Sequence, residues 1–236
     1  MWQWLPIPLM YLSLALLIRA EERTPPSPQQ IKVWKPLCTL LVILIAALSF
    51  TGPYESADRP YSALVLTGLG FSLIGDVLLI FQENAKAFMW GLVAFLVAHL
   101  MYIAAFVYLQ TSVLQAQSGG GELVSAIVLV VVGASVYRYL SPGLGKMRTP
   151  VIAYIVVISA MVHRATAIAL IHPGPATQPI LILAGAVLFY ISDAILAANK
   201  FRMGGRMPHY RLWNLTTYYT GQLLIALSTW FVCQGC

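Results

Sequence analysis

Eight apolar runs, each long enough to cross about 30 Å of hydrocarbon, recur along the 236 residues, with charges gathered in the gaps between them. No soluble core absorbs so much apolar chain. Of the side chains, 59% are hydrophobic and 9% charged, whereas soluble domains carry roughly a quarter charged residues. The pattern excludes a soluble globular domain. It predicts an all-α polytopic membrane protein, a bundle of eight transmembrane helices forming one domain over residues 1–236. The spans read as Trp4–Ala20, Trp34–Phe50, Ser62–Phe81, Phe88–Leu109, Leu123–Leu140, Pro150–Leu170, Pro179–Ala198 and Trp213–Val232. Short connections rich in Gly and Pro separate them, among them Thr24-Pro25-Pro26, Thr51-Gly52-Pro53, Gly119-Gly120-Gly121, Ser141-Pro142-Gly143 and His172-Pro173-Gly174-Pro175.

Insertion leaves Lys and Arg on the cytosolic side, so counting them gives orientation. Twelve (Arg19, Arg23, Lys32, Lys35, Lys86, Arg138, Lys146, Arg148, Lys200, Arg202, Arg206 and Arg211) fall around the first, third, fifth and seventh connections. The opposite side has only Arg59. Both termini are therefore expected on the non-cytosolic side. The first run has no basic residue before it and several after it, which reads as a retained helix rather than a cleaved signal. These loops also explain the net charge of +6. No basic arm points to nucleic acid. The three cysteines make no disulfide framework: Cys38 lies in an apolar run, and Cys233 and Cys236 end the chain in neither a prenylation box nor a metal-binding spacing.

A charged side chain inside a span costs a few kcal/mol at the helix centre and so needs a partner or a function. Asp76, Asp193 and Arg164 are of this kind, and His99 joins them as a titratable residue. Asp76 and Asp193 each lie five residues before the cytosolic end of their spans, roughly 7–8 Å below that interface at 1.5 Å per residue. Thr39, Tyr154 and Tyr218 reach a similar depth on spans two, six and eight. His99 counts deeper, near the midplane, and Arg164 lies beyond it beside His163. Lys35, Asn199 and Lys200 stand at the cytosolic mouth. Lysines there can set topology or bind lipid phosphate. The four histidines and three cysteines show no metal-ligand spacing, and no Gly-x-Ser-x-Gly elbow suggests a serine lipase. No cofactor or metal is expected.

Several segments carry a family resemblance: Val33-Trp34-Lys35-Pro36-Leu37, Gly75-Asp76, Ala98-His99-Leu100-Met101-Tyr102, Ala153-Tyr154 through Met161 and Arg164, Ile191-Ser192-Asp193-Ala194-Ile195, and Leu215-Thr216-Thr217-Tyr218-Tyr219-Thr220-Gly221-Gln222. In these the chain resembles the transmembrane lysoplasmalogenases, the YhhN-type membrane proteins. The resemblance implies hydrolysis of the vinyl ether bond of lysoplasmalogens to a fatty aldehyde and glycerophosphoethanolamine or glycerophosphocholine. An enol ether is acid-labile, and two carboxyl groups, one protonated and one ionised, suit its chemistry as they do glycoside hydrolysis. Asp76 and Asp193 are the catalytic candidates. Which of them is the acid stays open, with Tyr190 and Ser192 beside Asp193 favouring it.

Lys35, His99, Tyr154, Arg164, Lys200, Tyr218, Tyr219 and Gln222 are the candidate substrate-binding or supporting residues, with His99, Tyr154, Tyr218 and Gln222 read as donors holding carboxylates or water. The expected partners are the lysoplasmalogen substrate, water and membrane lipids, with oligomeric state left open. The expected residence is the endoplasmic reticulum membrane, with the active site opening toward the cytosolic leaflet. A proton- or cation-coupled transporter using the buried aspartates is the alternative, and a lipid binder without catalysis a third.

Overall fold

The computed structural model describes residues 2–51, 59–114, 120–171 and 177–231. Within them lie eight α-helices and no strand: α1 Pro6–Glu22, α2 Pro28–Leu48, α3 Arg59–Leu79, α4 Ala85–Tyr108, α5 Gly120–Leu140, α6 Arg148–Ile171, α7 Thr177–Ala197 and α8 Tyr210–Leu227. The breakers Gly52, Pro53, Gly119 and His172 to Pro175, the span end Val232, and Cys233 and Cys236 fall outside the described residues.

Local chemistry sets the boundaries. Pro6 and Pro28 open α1 and α2 at the first position, where a missing N–H leaves no bond unmade. Asn84 caps α4, its side-chain oxygen accepting from the N–H groups of Lys86 at 2.9 Å and Ala87 at 3.3 Å. Two helices continue past their α form as π turns, α4 through Leu109–Val113 and α7 through Ala198–Arg202. The second carries helical chain beyond Ala198, the expected end of that span, so Asp193 lies deeper from the helix end than the sequence count places it.

Six helices, α2 to α7 with their extensions, are long and apolar enough to cross a membrane. α1 and α8 have 17 and 18 residues. α8 is also diluted by Tyr218, Tyr219 and Gln222, which it turns into the bundle. Even so, α1 and α8 lie antiparallel along their whole length. The Trp4 and Trp230 rings pack at 4.9 Å, tilted by 43°, at one end, and Arg211 Nε meets the Glu21 carboxylate at 2.7 Å at the other. α2 follows the same course. Its Lys35 carbonyl accepts from Tyr219 at 3.0 Å and its Ile45 carbonyl from Trp230 at 2.9 Å. The bundle thus has a tryptophan end and a basic end, the latter gathering Arg211 and Lys200.

Close packing comes from small residues. A Cβ on Gly185 would stand 2.8 Å from the Gly221 carbonyl oxygen, and one on Gly221 2.9 Å from that of Gly185, so α7 and α8 touch backbone to backbone. Gly75 makes room for the Phe95 ring between α3 and α4 in the same way. α5 is peripheral. It packs mainly on α6 and turns Leu123, Val124, Val130 and Val131 outward at 60–70% exposure, a surface suited to lipid and not to water.

Candidate active site

Near the basic end, α3 and α7 bring Asp76 and Asp193 to the wall of one cleft of about 410 Å³, shared with Lys35, Gln82, Arg211, Asn214 and Tyr218. Asp76 is 1% exposed. Its Oδ2 accepts from the Thr39 hydroxyl of α2 and from the Tyr218 hydroxyl of α8, the latter at 2.8 Å. A phenol has one proton, and Tyr218 gives its own to Asp76. Its oxygen is then free to accept from Gln222 Nε2, one turn along α8, at 2.8 Å. A chain of donors, Gln222 to Tyr218 to Asp76, therefore ends on the carboxylate.

Asp193 is met from the other side. Tyr154 of α6 donates to its Oδ2 at 2.6 Å, and His99 Nε2 of α4 stands 3.7 Å from the same oxygen. His99 Nδ1 lies 2.6 Å from the Phe95 carbonyl, which can only accept, so that nitrogen carries the hydrogen. Full burial disfavours a charged imidazolium, and the neutral ring presents a lone pair at Nε2, which is buried and has no hydrogen-bond partner. His99 thus faces Asp193 through Nε2, an acceptor in the neutral ring and a donor only in the protonated one. Side-chain direction brings the two together. Every Cβ tilts toward its own helix N-terminus. α4 and α7 run in opposite senses, so His99 leans toward the basic end and Asp193 away from it, and the two converge. The rings of Phe189 and Tyr154, at 4.7 and 5.4 Å, hold the imidazole edge-on.

The other expected residues divide. Lys35 is buried and lines the cleft. Tyr219 points away, its hydroxyl tying α8 to the α2 backbone at Lys35. Lys200 stands at the mouth, Nζ 3.3 Å from the Gln82 carbonyl and over the Phe88 ring. Arg164 is not brought to the aspartates. It lies ten residues beyond Tyr154 along α6, roughly 15 Å of helix rise, where it pairs with Glu122 at 3.0 Å and donates to Gln110 at 3.2 Å. Those two residues bracket the long connection between α4 and α5.

Sequence reasoning missed several cleft residues. Arg211 counts there only as a topology charge, and Gln82 and Tyr210 carry no signal. Asn214 clasps α8 to α7 beside Asp193 through its amide, at 2.9 Å from the Ser192 carbonyl and 3.0 Å from its hydroxyl.

One pair elsewhere imitates a nucleophile and base. Ser125 Oγ lies 2.7 Å from His163 Nδ1. His163 Nε2, however, lies 2.8 Å from Arg164 Nη2, which can only donate, so the proton sits on Nδ1 and is given to the serine. The Ser125 hydroxyl in turn donates to the Glu122 carbonyl at 3.1 Å. This histidine cannot take the serine's proton in the arrangement seen. Among the described residues, no three or more His, Cys, Asp or Glu side chains gather as a metal site would.

The cleft borders two further spaces. Toward the basic end it shares Gln82, Leu196, Tyr210 and Arg211 with a polar mouth that also holds Glu22, Glu83, Asn199 and Lys200. Toward the lipid it shares Asp193 and Leu196 with an apolar pocket of about 550 Å³ between α4, α5, α6 and α7, walled by Phe88, Leu140, Ile155 and Tyr190. Asp193 is common to the polar and the apolar side.

Residues 30–229 match the YhhN family. The lysoplasmalogenase TMEM86A of Bos taurus is 32% identical over 200 residues, covering 84% of this chain and 76% of that protein. The lysoplasmalogenase TMEM86B of Mus musculus is 32% identical over 230 residues, 96% and 86% of the two chains. The lysoplasmalogenase of Mycobacterium bovis is 31% identical over 193 residues, 81% and 68%. No solved structure gives a significant match. A family match over most of the length, joined by relatives above 30% identity from mammals and a bacterium, establishes that the chain belongs to the YhhN family.

Proposed function

We propose that this protein is a lysoplasmalogenase, a membrane hydrolase that opens the vinyl ether bond of a lysoplasmalogen to a fatty aldehyde and glycerophosphoethanolamine or glycerophosphocholine. Asp76 and Asp193 serve as its acid/base pair. The observation that carries the reading is the position of Asp193, the wall between an apolar pocket and a polar cleft, in a chain whose relatives bear that name. A lysolipid has the same division. Its hydrocarbon chain is directed toward the apolar pocket, its phosphate toward the mouth beside Lys200 and Arg211, and its vinyl ether lies between, at the carboxyls.

The chemistry is redox-neutral, and two carboxyl groups and water suffice for it. One carboxylic acid protonates the β-carbon of the double bond, the other carboxylate steadies the oxocarbenium ion, and water adds to the α-carbon. The hemiacetal then parts into aldehyde and glycerol hydroxyl. Tyr154, Tyr218 and Gln222 hold the carboxyls in place, and Lys35 adds a positive charge to the cleft wall. Arg164 acts at a distance, fastening α5 to α6.

All eight helices span the bilayer in this reading, as one domain with both termini on the non-cytosolic side. The end-to-end pairing of α1 with α8 and the twelve-to-one distribution of basic residues support it. The mouth then opens to the cytosolic leaflet, with the endoplasmic reticulum as the membrane of residence.

Aldehyde release by the purified protein tests the proposal. Lysoplasmenylethanolamine or lysoplasmenylcholine should yield aldehyde, while the saturated alkyl-ether analogue, which has no double bond to protonate, should not. Silence on both vinyl ethers, or cleavage of the saturated ether, would contradict it.

A further inference from the structure

We propose that Asp193 is the carboxyl carrying the reacting proton, that His99 is the positioning residue that accepts and aims it, and that Asp76 is the ionised partner. This rests on the vinyl ether reading and resolves what that reading leaves open, which aspartate is the acid.

The two carboxyls differ in what faces them. Asp76 receives two hydroxyl donors on one oxygen, with a third donor behind Tyr218 and the Lys35 ammonium in the same cleft wall. Donors and a nearby cation stabilise a carboxylate. Asp193 has one donor, Tyr154, and opposite it a lone pair: His99 Nε2, on a ring that is 0% exposed and whose other nitrogen is committed to Phe95. Were Asp193 ionised and His99 neutral, two acceptors would face each other in a buried site with no proton between them, and a buried acceptor left unpaired is costly. A proton on the Asp193 carboxyl removes the conflict and gives Nε2 its missing partner. The separation of 3.7 Å exceeds a direct hydrogen bond, as is common in unliganded catalytic sites that tighten on substrate.

The cycle balances around that proton. The Asp193 O–H bond breaks and the proton bonds to the β-carbon through the π pair, while an ether-oxygen lone pair forms the C=O⁺ bond of the oxocarbenium ion beside ionised Asp76. Water's oxygen bonds to the α-carbon and its proton returns to Asp193, again held toward Nε2. The C–O bond to glycerol then breaks, the glycerol oxygen takes a proton, and the hemiacetal hydroxyl releases one. One water is consumed and both carboxyls end as they began.

Two substitutions separate the roles of the ring nitrogens. The shorter His99→Asn keeps a donor toward the Phe95 carbonyl but does not reach Asp193. The longer His99→Gln places an acceptor oxygen near the Nε2 position. His99→Asn should lower kcat about thirtyfold with KM within about twofold, and His99→Gln should recover to within about fivefold of wild type. Infrared spectra of the purified protein give a readout independent of turnover. A carboxylic-acid C=O band should be present in wild type, absent in Asp193→Asn, retained in Asp76→Asn and shifted in His99→Asn. Loss of the band in Asp76→Asn instead, no such band in wild type, or equal kcat for the two His99 variants would overturn the proposal. A band that belongs to Asp193 in a protein releasing no aldehyde would uphold the proton assignment and sink the hydrolase reading.

Discussion

Arg164 and its neighbours, toward the tryptophan end, and the two aspartates, toward the basic end, are both clusters of charge inside the bundle. In the first, donors and acceptors match: Arg164 meets Glu122, Gln110 and His163, and His163 gives its proton to Ser125. In the second, donors converge on carboxyls, while two buried acceptors, His99 Nε2 and Gln222 Oε1, are left without a hydrogen-bond partner. The second also opens into a cleft and an apolar pocket. A closed network fixes helices. A network with unpaired acceptors, open to both lipid and mouth, has capacity left for a substrate and a proton.

The largest effect expected outside the aspartates breaks the closed cluster. Arg164→Met leaves Glu122 as an uncompensated charge and should lower stability by about 2–3 kcal/mol, less than for a fully buried pair because the arginine side chain is 24% exposed. Thermal unfolding in detergent reads this, and kcat per folded molecule should stay within about twofold. A kcat loss without a change in unfolding would erase the distinction between the clusters. Tyr154→Phe comes next. It removes the donor to Asp193 without emptying the site and should lower kcat about tenfold, with the unfolding midpoint little changed. Arg211→Ala has the smallest effect on turnover. It leaves the Glu21 carboxylate, whose side chain is 5% exposed, without its cation, so the unfolding midpoint should fall here as well, while KM for lysolipid rises about threefold with kcat unaltered, read from initial rates across substrate concentration.

The helices were legible because a bilayer demands long apolar segments, and that demand is written locally. Their ends were less so. The π turn that extends α7 through Arg202 has no hydropathy signature, and α8 is polar because it faces the site. Within the site, helix rise alone put Thr39, Tyr154 and Tyr218 in the aspartate layer, and each hydrogen-bonds a carboxyl. Rise says nothing of rotation about the helix axis. Glu122 as partner of Arg164, Glu21 as partner of Arg211, and the clasp of Asn214 on Ser192 depend on which faces meet. The contact of His99 with Asp193 was not legible because its reach depends on the antiparallel tilt of α4 and α7, and its tautomer on one carbonyl a turn away.

The central claim is that chemistry belongs to the open cluster and stability to the closed one. Aldehyde release from lysoplasmenylethanolamine by purified wild type, Asp76→Asn, Asp193→Asn and Arg164→Met, each checked for folding, tests it most directly. Both aspartate variants should fall at least about a hundredfold, while Arg164→Met keeps its rate per folded molecule. Aspartate variants that retain activity, or an Arg164 variant that loses it while folded, would contradict the claim.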